Sequence, residues 1–226
     1  MRKFAISDIH GCAKTFDALL DRIALTTNDQ LYLLGDFIDR GPDSKGVIDQ
    51  VFDLKEKGYQ VECLVGNHEE RVLKARTDVE ILDKWTAWGG QATLDSFGAN
   101  TLEDIPPPYW EFMENLQIYF RQDEYLMVHA GLNFKLDDPM QDKYAMVWIR
   151  DWYADVNYDW LGNQIIIHGH IQQNKDEIHT ALEQLDERKI LGIDNGCATR
   201  NVVGRGNLCA FELTNRKVFF VPNRDY

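Results

Sequence analysis

Three short polar blocks within the first seventy residues carry groups that bind divalent cations and phosphate: Ser7-Asp8-Ile9-His10-Gly11, Gly35-Asp36-Phe37-Ile38-Asp39-Arg40-Gly41 and Gly66-Asn67-His68-Glu69. Each follows directly on an apolar, strand-like run. Carboxylate and amide oxygens are hard ligands and imidazole is borderline, a mixture that suits a pair of divalent metals. Two such ions side by side activate a solvent molecule and neutralise a phosphoryl group, so these blocks point to phosphoester hydrolysis.

In an extended segment residues i and i+2 project to the same side, so Asp8 and His10 are expected to face one metal, with Gly11 letting the chain turn beside it. Taken alone, this D-x-H is equally a loop aspartate capping the next helix. Asp36 has two oxygens and can bridge two metals. Arg40 offers a planar fork to phosphate oxygens, although Asp39 and Arg40 in a turn also make an ordinary surface pair. Asn67 supplies an amide oxygen, and His68 can be a ligand or a proton donor. Read blandly, Gly66-Asn67 is a turn and Glu69-Glu70 a helix start. Repetition decides, because three such blocks stand at the ends of three successive strands. His129-Ala130-Gly131 and His168-Gly169-His170 follow two later strand-like runs in the same way. Five of the six histidines flank strand ends, which favours metal over isolated polar residues; His179 is given no role.

The elements that must hold these blocks are legible in the hydrophobic pattern. Lys3–Ser7, Gln30–Leu34 and Tyr59–Val65 read as buried strands. Phe16, Leu19, Leu20 and Ile23 mark a helix over Thr15–Ala24; Val47, Val51 and Leu54 mark another, capped by Asp43 or Ser44 and ended by Gly58. Strand–helix–strand–helix–strand is the pattern of a parallel sheet, with sites at the carboxyl ends of its strands. From Glu69 to Met113 the chain reads as helical, broken at Gly89-Gly90, Gly98 and the prolines. Strand signal returns at Ile118–Arg121, Tyr125–His129, Ile165–His168, Lys189–Ile193, Leu208–Leu213 and Val218–Val221, the last two a hairpin over Asn215-Arg216. The expectation is an α/β fold of two packed sheets with helices outside, in a single domain over residues 1–226.

A net charge of −13 argues against a nucleic-acid or acidic-membrane partner. It leaves room for a small phosphorylated substrate, since metals supply positive charge locally. The N-terminal apolar stretch is far shorter than a signal peptide, and no run approaches a membrane span. Cys12, Cys63, Cys197 and Cys209 form no zinc-type pair, so free thiols in a reducing cytoplasm are expected.

In order, D-x-H, G-D-x-x-D-R-G, G-N-H-E, H-A-G and a late G-H resemble the motif set of the PPP family of metallophosphatases, which have the calcineurin-like fold of two mixed β-sheets flanked by α-helices. All five occur between Asp8 and His170. Gly89-Gly90-Gln91-Ala92-Thr93-Leu94 resembles a segment of the bacterial branch, and the spacing is most like that of the small bacterial and phage serine/threonine protein phosphatases. The resemblance implies two divalent metals, Mn²⁺ first and Fe or Zn as alternatives. Asp8 and His10 would hold the first, Asp36 would bridge, and Asn67, His129 and His170 would complete the second, with His168 behind them. It makes His68 the general acid paired with Asp39, and Arg40 a clamp on the phosphoryl oxygens. Arg150, in Val147-Trp148-Ile149-Arg150, fits the family's second phosphate-binding arginine; Arg71 is a weaker candidate at the substrate mouth.

The leading expectation for the substrate is a phosphoserine/phosphothreonine protein. The alternative is a dinucleoside polyphosphate such as diadenosine tetraphosphate, or another small phosphoester. A metal-binding protein without catalysis is disfavoured because His68 and Asp39 are both present. Trp148, Trp152, Tyr153, Tyr158 and Trp160 could stack a base or shape a groove, but packing as core or lid is the plainer expectation. Residues 172–188 are polar and carry no assignment.

Overall fold

Along the chain run β1 (Lys3–Ile6), α1 (Ala13–Arg22), β2 (Gln30–Leu33), α2 (Ser44–Glu56), β3 (Gln60–Cys63), α3 (Asn67–Ala75), α4 (Val79–Trp85), α5 (Gln91–Phe97) and α6 (Pro107–Glu114). Then follow β4 (Tyr119–Gln122), β5 (Tyr125–Val128), α7 (Lys143–Trp148), α8 (Tyr158–Leu161), β6 (Ile165–His168), α9 (Lys175–Glu183), α10 (Leu185–Arg188), β7 (Ile190–Gly192), β8 (Asn207–Glu212) and β9 (Lys217–Pro222). This computed structural model describes residues 1–226. Its strands form two mixed sheets, ordered β3-β2-β1-β8-β9 and β4-β5-β6-β7. Strands β1, β2 and β3 run parallel, as do β5, β6 and β7.

Alternation along the strands explains the layering. Phe4, Ile6, Leu31 and Leu33 pack with Phe16, Leu19, Val47, Ile48 and Val51 of α1 and α2. The intervening Ala5 and Tyr32 face the other way, onto Tyr125, Met127, Ile165 and Ile167 of the second sheet. Leu126, Val128 and Ile166 then point outward, onto Met146, Trp152 and Leu161. The result is helix, sheet, sheet, helix, the layering that the resemblance implies. The sheets do not divide by chain half, because the β8–β9 hairpin returns to pair antiparallel with β1.

Local chemistry sets the breaks. Asp43 caps α2, its Oδ1 accepting the Gly46 N–H at 2.8 Å. The helical stretch after Glu69 breaks at a π-type turn over Thr86–Gly90, where Gly89 takes φ 114°. All four cysteines are buried and unbridged. No helix is long and apolar enough to cross a membrane.

Candidate active site

The carboxyl ends of β1, β2, β3, β5 and β6 deliver the polar blocks to one place. Asp8 and His10 do not share an extended segment, contrary to the expectation from their spacing: their φ angles are 55° and 48°. After β1 the chain coils against the loop that follows β2, His10 N–H donating to Asp36 O and Gly11 N–H to Phe37 O, both at 2.8 Å. Six of the eleven non-glycine residues with positive φ belong to this site: Asp8, His10, Asp36, Asp39, Arg40 and His170. Each such residue costs about 1–2 kcal/mol, so strain is concentrated where the chemistry would be.

Glu69 holds the strained loop. Its fully buried carboxylate accepts N–H bonds from Asp36 (2.9 Å), Phe37 (2.8 Å) and Gly66 (3.0 Å), with Ile38 at 3.3 Å. Burial, with Asp36 beside it, pushes this carboxyl up to about 8 despite those bonds. Two glycines permit close approach: a Cβ on Gly66 would lie 2.1 Å from Asp36 Oδ1, and one on Gly169 2.1 Å from Asp8 Oδ2.

Asp36 sits between two imidazoles, Oδ2 3.5 Å from His10 Nε2 and Oδ1 3.6 Å from His129 Nε2. The other ring nitrogen of each bonds a backbone carbonyl, His10 Nδ1 to Ile38 O (2.9 Å) and His129 Nδ1 to Leu34 O (2.7 Å). That pairing fixes the tautomer and leaves Nε2 as a lone pair. Lone pairs then face carboxylate oxygens in a buried site, an arrangement that a cation between them satisfies. The Asn67 amide oxygen lies 2.7 Å from His170 Nδ1 and 3.1 Å from His129 Nε2. His170 Nε2 is buried without a partner. Burial, then the neighbouring His129, pushes the His170 imidazole down to about 2, so it stays neutral. The ligand atoms of His10, Asp36 and His68, and those of Asp36, His129 and His170, cluster within 4.8 Å. The residues present therefore fit two cations sharing Asp36. Asp8 joins through position, both its oxygens accepting the His170 backbone N–H at 3.1 and 3.0 Å.

His68 differs from the other rings because it pairs with a carboxylate, Nδ1 lying 2.6 Å from Asp39 Oδ2. Asp39 is fully buried and also accepts from Trp85 Nε1 (2.9 Å) and Thr93 Oγ1 (2.7 Å). Burial pushes its carboxyl up to about 7 against those bonds. Arg40 spans the two imidazoles, Nη1 2.7 Å from His10 Nε2 and Nη2 2.9 Å from His68 Nε2. Burial, and then this guanidinium, lowers both rings well below the usual histidine range.

A polar cleft of about 260 Å³ opens over Asp8, Asp36, Asn67 and His170, with Arg40 and Arg150 on its walls. Arg150 Nη1 donates to His170 O at 3.3 Å. A larger cleft of about 450 Å³ beside Phe52, Cys63 and Phe112 gathers no comparable set of ligands. His168 stays apart, bonded to the Tyr153 hydroxyl (2.9 Å) and to Gly169 O (2.8 Å). Trp152 is buried in the core, as expected. Sequence reasoning left out Gln172 and Arg205, which also line the cleft. Arg205 Nη1 donates to Gln172 Oε1 at 3.3 Å. No motif marks Arg205; its one signal is a lone cation in a Gly-rich loop, Gly204-Arg205-Gly206.

The profile of the calcineurin-like phosphoesterase family matches residues 1–195. Among curated relatives, a symmetrical bis(5'-nucleosyl)-tetraphosphatase of Nitrosomonas europaea is 33% identical over 134 residues, 58% of this chain and 45% of the relative. The chain thus spans less than half the length of that relative. A solved structure of a candidate diadenosine tetraphosphatase is similar with a TM-score of 0.67 at 19% identity, over 100% of this chain and 95% of the other. A protein serine/threonine phosphatase from Saccharomyces cerevisiae also gives 0.67, at 14% identity over 100% of this chain and 81% of the other. At such identities the structural likeness speaks for the fold alone.

Proposed function

Because this chain belongs to the calcineurin-like phosphoesterase family, we propose that it is a dinuclear-metal hydrolase acting on a dinucleoside polyphosphate. Asp8, His10 and Asp36 would hold one ion; Asp36, Asn67, His129 and His170 would hold the other, with Mn²⁺ the first choice and Fe or Zn suited to the same donors. Bound there, the ions supply Lewis acidity that activates solvent and neutralises phosphoryl charge.

The chain's own residues do the rest. Arg40 turns from the two imidazoles onto the phosphoryl oxygens, which frees Nε2 of His68. Arg150 meets the same group from the opposite half of the chain. His68 then carries a proton on Nε2 to the leaving oxygen, while Asp39 orients the ring and offsets part of what burial costs its charged form. Both halves supply the site, so we take residues 1–226 as one catalytic unit.

The observation that carries the substrate class is Arg205, a third arginine in the cleft with Arg40 and Arg150. One phosphoryl group is served by two forks; a polyphosphate presents further anionic groups to a third. The name of the Nitrosomonas europaea relative supports the same reading. The sequence motifs alone ranked a phosphoprotein first; the relatives and the third arginine favour the nucleotide alternative. A side-by-side assay with Mn²⁺ tests it: diadenosine tetraphosphate should be cleaved at its centre to two molecules of adenosine diphosphate, far faster than a phosphothreonine peptide. Cleavage of the peptide alone would refute it.

A further inference from the structure

Aromatic residues left outside the core gather around Arg71. The Arg71 guanidinium lies 3.7 Å from the ring centre of Trp88 and 4.7 Å from that of Trp148. Tyr144 stacks on Trp148, with ring centres 5.9 Å apart and planes 15° from parallel. Glu70 accepts the Trp148 indole N–H. Trp88 and Tyr144 remain 57% and 62% exposed. An ordered ladder of ring, guanidinium, ring and ring, exposed at Trp88 and at Tyr144, where Lys74 Nζ lies 6.0 Å from the ring centre, is not how a core disposes of aromatic surface.

Three of its four members are tied to a site residue. Trp88 precedes Gly89, whose carbonyl accepts the Arg40 N–H at 3.1 Å and whose Cα packs so closely that a Cβ would lie 3.0 Å from Arg40 Cγ. Arg71 is three residues after His68 on α3, one turn along the same face. Trp148 ends α7, two residues before Arg150. These ties set the ladder next to the segments that carry Arg40 and Arg150, outside the residues that line the cleft itself.

We propose that Trp88 and the Trp148–Tyr144 pair, braced by Arg71 between them, form a stacking platform for a nucleobase whose phosphates reach Arg40 and Arg150. This rests on the reading that the substrate carries nucleosides. A planar base stacks on indole and phenol faces whatever its identity. Arg71, held between two rings, keeps Trp88 in place before the ligand arrives, which lowers the ordering cost of binding.

The test compares binding of adenosine diphosphate and inorganic pyrophosphate to the Mn²⁺-loaded chain by calorimetry. The nucleotide should bind at least about tenfold more tightly. Trp88→Ala should remove most of that advantage and leave pyrophosphate affinity unchanged, whereas Trp88→Phe should keep most of it. Equal affinities in the unmodified chain, or a preference that survives in the Trp88→Ala/Tyr144→Ala double variant, would overturn the platform. A Trp88-dependent preference in a chain that leaves diadenosine tetraphosphate intact would keep the platform and defeat the hydrolysis reading. Cleavage with the same KM in Trp88→Ala would do the opposite.

Discussion

The Asp39 oxygen that meets His68 Nδ1 at 2.6 Å also accepts the Trp85 indole N–H at 2.9 Å, so the imidazole is aimed by a carboxylate that is itself pinned from behind. A ring oriented in this way is suited to hand over a proton from Nε2, the nitrogen that faces Arg40. His68→Asn should lower kcat on an alkyl phosphate by about 10²- to 10⁴-fold. It should lower the rate on p-nitrophenyl phosphate much less, because that leaving group departs without a proton. Equal losses on the two substrates would remove the general-acid role.

His170 and His168 are two residues apart but meet different partners. His170 faces Asn67 with a buried, partnerless Nε2, whereas both ring nitrogens of His168 are engaged by Tyr153 and Gly169. After dialysis, His170→Ala should retain about one metal per chain or fewer, and His168→Ala should stay close to two. Elemental analysis decides, and the reverse pattern would exchange the two assignments.

Glu69 is the acceptor for four backbone N–H groups around the second and third blocks. Glu69→Ala orphans these buried donors and should cost at least about 3 kcal/mol. Glu69→Gln keeps one acceptor oxygen and should cost less. Urea titration reads both; a loss within error for the alanine variant would show that the loop holds its left-handed residues without this carboxylate.

The fold was legible because its signals are local. Ile165–His168 is short and opens on three β-branched isoleucines, which favours the buried strand it forms, and the D-x-H and G-D-x-x-D-R-G blocks stand where parallel strands end. What stayed illegible depends on long-range meeting. Nothing near Glu69 in the sequence reveals that it satisfies backbone of residues 36–38, so it read as an ordinary helix start. The Asp8–His10 spacing suggested a pleat, but loop-to-loop hydrogen bonds with residues 36 and 37 override it. Arg205 lies in a loop with no period, and its place in the cleft follows only from how β8 returns to β1.

That return leaves β1 in the middle of its sheet, and an ion pair fastens the chain just before it. Arg2 Nη2 donates to Asp29 Oδ2 at 2.6 Å and Nε to Oδ1 at 3.1 Å. Burial alone would push the Asp29 carboxyl up; the bonds from Arg2 and Thr26 outweigh it and hold it down at about 2. A carboxyl lowered by folding contributes its stability above its unfolded pKa of about 4, and loses it as pH falls toward 2. Arg2 is partly exposed, so screening reduces the pair to about 1 kcal/mol. Asp29→Asn should therefore lower the urea midpoint at pH 7 and leave it nearly unchanged at the acid end of that window. The same deficit at both pH values would show that the carboxylate charge contributes nothing.

Arg205 allows the substrate reading to be tested inside the cleft. Its guanidinium is held by Gln172 Oε1 and by Asn174 Oδ1, at 3.3 and 3.2 Å, on the wall formed by the segment before β8. There it would meet a phosphate beyond the one proposed for Arg40 and Arg150. A charge-assisted hydrogen bond of this kind is worth about 1.5–3 kcal/mol. Arg205→Ala should accordingly raise KM for diadenosine tetraphosphate by about ten- to a hundredfold. It should leave kcat/KM for p-nitrophenyl phosphate within about twofold, since that substrate has no second phosphate to lose a partner. Arg205→Lys should recover part of the loss, supplying charge without the fork. An equal fall on both substrates, in a variant with unchanged thermal melting, would place Arg205 on the scissile phosphoryl group itself and remove the geometric argument for a polyphosphate.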